Sequence, residues 1–173
     1  MRVEDEREFR QFVDARLGQL RRTAYLLCGD PHGADDVVSV TLGKLLRQWR
    51  RVSRMEHPDA YLRRMLITSY LDERRRPWRA ERPTETLPSP VVAASDGEVL
   101  DRVTLLALLD RLPPRQRAVL VLRFFNDLSV EQTAEALGCA PGTVKAHTHQ
   151  GLAALRAMLG TQELALSLNP SEE

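Results

Sequence analysis

The chain has 173 residues, 43% of them hydrophobic and 28% charged, with a formal net charge of +1. That is room for one domain or two small ones with a buried core. It excludes a membrane span, since no apolar run approaches the roughly 20 residues needed, and the charged start MRVEDEREFR does not read as a signal peptide. Cys28 and Cys139 lie far apart with no C-x-x-C, so they read as buried thiols of a reducing, cytoplasmic compartment and not as a disulfide or metal pair.

In chain order, Phe9, Phe12, Val13, Leu17, Leu20, Ala24 and Leu27 recur at steps of three and four, a helical stripe that Gly29 and Pro31 stop. A second helix is predicted from about Gly33, with Ala34, Val38, Leu42, Leu45 and Trp49 on one face. Trp49 closes that stripe and reads as core. After a polar break over 50–57, Pro58 opens a third helix through Tyr61, Leu62, Met65 and Leu66 into Arg74-Arg75-Arg76. Pro77, Pro83, Pro88 and Pro90, with Ser and Thr between them, have linker composition. Four further helices are predicted over 98–111, 114–125, 129–137 and 141–159, and the last fourteen residues read as frayed. No strand pattern or internal repeat occurs. The expected architecture is all-α: helical domains over 1–80 and 98–160, a mobile linker over 81–97 and an acidic tail over 161–173.

Charge follows the same division. The balance is +5 up to Pro83, −4 over 84–101, +3 over 102–159 and −3 thereafter. Two basic blocks separated by acids suggest two modules facing a polyanion.

The segment LSVEQTAEALGCAPGTVKAHTHQGLAALR (128–156) has the layout of a helix-turn-helix. Ser129 and Gln132 form an S-x-x-Q capping box, Gly138 ends the first helix and Pro141 opens the second. With Val144, Thr148, Gly151 and Leu155 inward, Gly142, Thr143, Ala146, His149 and Gln150 face out, flanked by Lys145 and His147. Gln150 suits an adenine edge, and Lys145 a guanine or a phosphate. His147 and His149 point to different sides, which argues against a shared metal. Ala140 offers no capping oxygen, and an inward Gly151 weakens its helix by roughly 1 kcal/mol relative to alanine. The reading is a recognition helix of modest grip with a shallow salt slope.

With these residues in view, the chain resembles an extracytoplasmic-function (ECF) sigma factor over about residues 6–158. LRRTAYLLCGDPHGADDVVSVTLGKLLRQW (20–49) and PDAYLRRMLITSYLDERRR (58–76) are similar to the family's region two and its promoter-melting segment. LPPRQRAVLVLRFFNDLSVEQTAEALGCAPGTVKAHT (112–148) is similar to its region four. The resemblance implies core RNA polymerase and promoter DNA as partners, and it allows an anti-sigma factor. It implies polymerase contact through Asp35, Asp36, Ser39, Val40 and Gly43, where relatives carry glutamine and an acid in place of Ser39 and Val40. It implies −10 contact through Arg50, Arg51, Ser53, Arg54, Met55, Glu56, His57, Tyr61, Arg63, Arg64, Arg74, Arg75 and Arg76, with 53–57 as a pocket for a flipped base. The −35 element would meet Gly142, Thr143, Lys145, Ala146, His147, His149 and Gln150.

Catalysis has no support: P-loop, G-x-S-x-G, H-E-x-x-H and metal-spaced Cys/His patterns are all absent, and no cofactor is called for. A stand-alone helix-turn-helix repressor and a sigma-like decoy remain the rival readings.

Overall fold

Among residues 2–76 and 104–168, which the computed structural model describes, every regular element is helical. The linker over 81–97 and the end of the tail lie outside the described residues. The stripe predicted as one helix is two, α1 (Val3–Asp14) and α2 (Leu17–Cys28). No Gly or Pro marks the break. It is held by Arg16, whose guanidinium donates to the Asp59 carboxylate and to the Phe12 carbonyl.

Gly29 ends α2 in the left-handed conformation (φ 82°) that glycine adopts without strain. The next helix, α3 (Pro31–Val52), begins two residues earlier than predicted. Asp30 caps it, its carboxylate accepting from the Gly33 amide at 2.6 Å, and Pro31 occupies the first turn as a starter, not a stop. Helix α4 (Pro58–Arg75) runs as predicted. Trp49 is buried among α1–α3, its ring edge-on to Phe9 and tilted on Phe12.

The second group starts with α5, helical over 104–110. Then α6 (Pro114–Leu120) loosens into a π-turn, Val121–Phe125, which leaves Phe124 and Phe125 51% and 44% exposed. Helices α7 (Val130–Leu137) and α8 (Pro141–Leu168) follow. Of the end expected to fray from residue 160, α8 keeps 160–168 helical, and 169–173 lie outside the described residues. Its residues 152–158, by contrast, pack Leu152, Ala154, Leu155 and Met158 on Leu109, Leu112 and Leu120.

The two groups do not stand apart. Ala118, Val121, Leu122, Leu128 and Ala136 belong to the same apolar cluster as the buried faces of α2, α3 and α4. At about 25 cal/mol per Å2 of apolar surface removed from water, a continuous core of this kind favours docking over separation. Arg117, 1% exposed, crosses this seam: its Nε donates to the Leu26 carbonyl at 2.7 Å and one Nη to Asp110 at 2.9 Å. Arg74 donates to the Cys28 carbonyl at 3.2 Å. The last turn of α2 carries no basic residue of its own, so two arginines from other helices meet carbonyls that the helix leaves without internal donors.

Candidate nucleic-acid and polymerase interface

The residues singled out in the sequence fall on three surfaces. On α3, Asp35, Asp36, Ser39 and Val40 are exposed and Gly43 half-exposed, on the side opposite Val37, Thr41 and Leu45. This ridge mixes two acids with Val40, an apolar side chain 40% exposed. Asp35 has Arg21 at 3.8 Å. A Cβ added at Gly43 would have nothing within 4 Å, so a helix can approach closely there.

The second surface joins the α3–α4 loop to α4. Ser53, Arg54, Glu56 and His57 are exposed, whereas Met55 turns inward to pack on the core. Arg50 is tethered to Asp5 at 3.3 Å. Arg51 lies 5.2 Å over the Tyr61 ring and donates to its hydroxyl, which in turn donates to Gln48 at 2.8 Å. A cavity of about 390 Å3 opens beside this stack, lined by Lys44, Gln48, Tyr61, Arg64, Met65 and Thr68. The base pocket predicted from 53–57 therefore has a neighbour between α3 and α4, to which the loop contributes nothing. Lys44 and Gln48, which line this cavity, sit beside an apolar stripe that reads as core in the sequence. Arg63 is half-buried near Asp59, and Arg64 reaches across the seam to within 3.6 Å of a Cβ built on Gly138. At the end of α4, Arg74 pairs with Asp110 at 3.6 Å and Arg76 with Glu73 at 3.3 Å, while Arg75 projects outward.

The third surface is the helix-turn-helix. Ser129 accepts from the Gln132 amide and Gln132 accepts from the Ser129 amide, both at 3.0 Å, which completes the predicted capping box. Gly138 (φ 64°) and the bond from the Cys139 amide to the Ala134 carbonyl close the first helix in a Schellman-type turn. Val144 is fully buried against Val119 and Ala134. Gly151 is where a backbone approaches closely: a Cβ there would lie 3.0 Å from Leu120 Cδ1. The inward glycine, expected to be a weakness, is what lets α8 seat on α6. Gly142, Thr143, Lys145, Ala146, His149 and Gln150 are exposed together. His147 departs from that face. It is half-buried, with Nδ1 shielded from solvent and no hydrogen-bond partner among the described residues.

Small side chains at Gly142, Thr143 and Ala146 let the start of α8 approach a surface as close as a groove floor, with Lys145 and Gln150 to contact it. Among the described residues no group of His, Cys, Asp and Glu is placed to hold a metal, and no helix is long and apolar enough to cross a membrane.

Residues 12–80 match the family described as Sigma-70 region 2, and residues 102–155 match Sigma-70, region 4. The chain is 38% identical over 161 residues to an RNA polymerase sigma-E factor of Streptomyces avermitilis, covering 91% of this chain and 88% of that protein. It is 32% identical over 177 residues to the ECF RNA polymerase sigma factor SigL of Mycobacterium tuberculosis, covering 91% of each. Among solved structures, its fold is similar to the sigma factor RpoE from Bartonella quintana, crystallised with the anti-sigma factor NepR. That likeness has a TM-score of 0.71 at 24% identity, over 88% of this chain and 97% of that one. The fold is also similar to CnrH in complex with the cytosolic domain of CnrY, with a TM-score of 0.63 at 22% identity over 90% of each chain.

Proposed function

The chain belongs to the ECF sigma factors of the sigma-70 family, which bind core RNA polymerase and promoter DNA and direct transcription initiation, and from that premise we propose how its surfaces divide the work. The module over 1–80 takes core polymerase on the α3 ridge of Asp35, Asp36, Ser39, Val40 and Gly43. It takes the opened −10 strand along Arg50, Arg51, Arg54, Tyr61 and Arg64 and the arginines at the end of α4. The module over 98–160 reads the −35 duplex with Gly142, Thr143, Lys145, Ala146, His149 and Gln150. The observation that carries this division is the Arg51–Tyr61 stack beside an open cavity: cations for the backbone next to a ring and a hole for a base. The protein works in the cytoplasm, where its polymerase is.

Docked modules cannot do both jobs at once. Elements centred about 25 base pairs apart on duplex DNA are separated by about 85 Å at 3.4 Å per pair. A compact chain of this length has a radius of gyration of about 16 Å and measures about 40 Å across. Initiation therefore requires the seam to part, with polymerase holding the separated modules over the promoter so that weak contacts add through effective concentration. The described arrangement is the resting form. An anti-sigma factor that binds it in preference to the parted form would hold it there.

The test combines the purified chain with core polymerase free of other sigma factors, followed by mapping of transcript 5′ ends on genomic DNA from the source organism. Co-elution with discrete new start sites is the expected result. Failure to bind core, with tight duplex binding by the chain alone, would overturn it in favour of a repressor.

A further inference from the structure

One cavity lies at the seam, where the arginines at the end of α4 meet the start of α6 and α8. It measures about 330 Å3 and is lined by Leu71, Arg74 and Arg75 at the end of α4, by Pro113, Pro114, Arg115 and Gln116 at the start of α6, and by His147 on α8. Its walls exist together only while the two modules are docked. No carboxylate lines it, yet arginines and a histidine from separate helices converge there. Arg74 is occupied at the back by Asp110 and the Cys28 carbonyl. Arg75 and Arg115 have no acidic partner among the described residues and keep their charge directed at solvent and cavity. His147 lines it from α8, although its Nδ1 is out of solvent, turned away from the open cavity, and without a partner among the described residues. Leu71, Pro113 and Pro114 supply an apolar wall.

From this convergence we propose that the seam holds a binding site for a pyrophosphate group, either the free ion or one borne by a nucleotide, and that its occupant fastens the docked form. Arg75 and Arg115 meet the oxygens with charge-assisted hydrogen bonds, and His147 flanks them from α8. Two adjacent phosphoryl groups can engage cations from two helices, α4 and α6, at once, and the volume exceeds what pyrophosphate alone fills. Promoter DNA is not the occupant, because the cavity is dismantled in the parted form that spans a promoter. A ligand that binds only the docked form stabilises it by mass action. The binding rests on the docked geometry alone; only its consequence for initiation rests on the function proposed above.

The experiment titrates sodium pyrophosphate into the full chain by calorimetry, against orthophosphate and sodium chloride at matched ionic strength, with a nucleoside diphosphate as a further arm. In parallel, fluorophores on Asp14→Cys and Ala153→Cys, in a Cys139→Ser background, report the distance between modules. The expected result is saturable one-to-one binding of pyrophosphate, weaker for orthophosphate. It should be accompanied by higher transfer efficiency and weakened at least about tenfold in Arg115→Ala, with partial recovery in Arg115→Lys. Arg115 is exposed, so a circular dichroism spectrum like the wild type's verifies that the variants fold. Tighter binding of the nucleoside diphosphate than of pyrophosphate assigns the site to a nucleotide, and equal or weaker binding to the free ion. Heats no larger than those of chloride, binding that survives Arg115→Ala, or a fall in transfer efficiency on binding would each overturn the site. None of these readouts involves polymerase, so the sigma-factor assignment of surfaces stands or falls separately.

Discussion

Replacing Arg117 with alanine shifts the chain toward the parted form. In the docked form its Nε hydrogen bond to the Leu26 carbonyl joins the modules, and a bond from a charged donor contributes about 1.5–3 kcal/mol. The Asp110 contact lies within the 98–160 module and does not depend on docking, so it adds nothing to the ratio. Against the Leu26 bond, docking strips water from a guanidinium that ends 1% exposed, and one of its Nη atoms has no hydrogen-bond partner among the described residues. Burial pulls that guanidinium down from its usual range, while Tyr70 and Asp110 pull it back up, so part of the gain is cancelled. The net loss on substitution is about 2 kcal/mol, which moves the docked-to-parted ratio about 30-fold. Distances between spin labels on Asp14→Cys and Ala153→Cys, measured by pulsed electron resonance, should gain a long population in Arg117→Ala. Arg117→Lys should fall between, since one ammonium cannot serve both acceptors. A distance distribution identical to the parent's, in a variant whose helicity is intact, would refute Arg117 as the latch.

Gly151→Ala should destabilise by about 1 kcal/mol, read as a lower urea midpoint. The helix propensity gained, about 1 kcal/mol, is outweighed by crowding against Leu120, whose Cγ and Cδ1 would lie 3.2 and 3.0 Å from the new methyl; stabilisation would show that Leu120 moves freely. Asp59→Asn should cost about 0.5–1 kcal/mol at neutral pH, since both partners of the Arg16 pair are partly exposed. The hydrogen bond from Arg16 holds Asp59 below its ordinary value. The difference between wild type and variant should therefore be constant above the unfolded value of about 4 and vanish as pH falls through the lower folded one. Unfolding curves at several pH values check this, and a difference that grows on acidification contradicts it. Gln150→Ala should weaken −35 duplex binding by about 1–3 kcal/mol at the best sequence and less at random duplex, measured by fluorescence anisotropy. An equal loss on all sequences would make Gln150 a backbone contact.

Much of this was legible because the signals are local. Ser129 with Gln132, Gly138 and Pro141 fix the ends of the helix-turn-helix by their own hydrogen bonds and dihedrals, whatever surrounds them. The exposed faces of α3 and α8 follow from helical spacing. The break at Arg16 was not legible, since its cause is Asp59, 43 residues away. Pro31 was misjudged because beside the Asp30 cap it starts a helix instead of stopping one, and the seat of Gly151 beneath Leu120 was not legible because Leu120 lies on another helix. The seam left one trace. Arg117 shares a helix face with Val121, and a charge on a buried stripe signals a polar partner, but nothing nearby in the chain says that the partner is the end of α2.

Arg74 gives the seam a kinetic meaning. One guanidinium cannot neutralise a DNA phosphate while it is engaged by Asp110 and the Cys28 carbonyl. Each phosphate contact withheld flattens the dependence of log affinity on log salt by about 0.9. A resting chain therefore lingers less on chance duplex than its arginine content suggests. In the opening proposed above, the full cationic end is released only when the modules come apart.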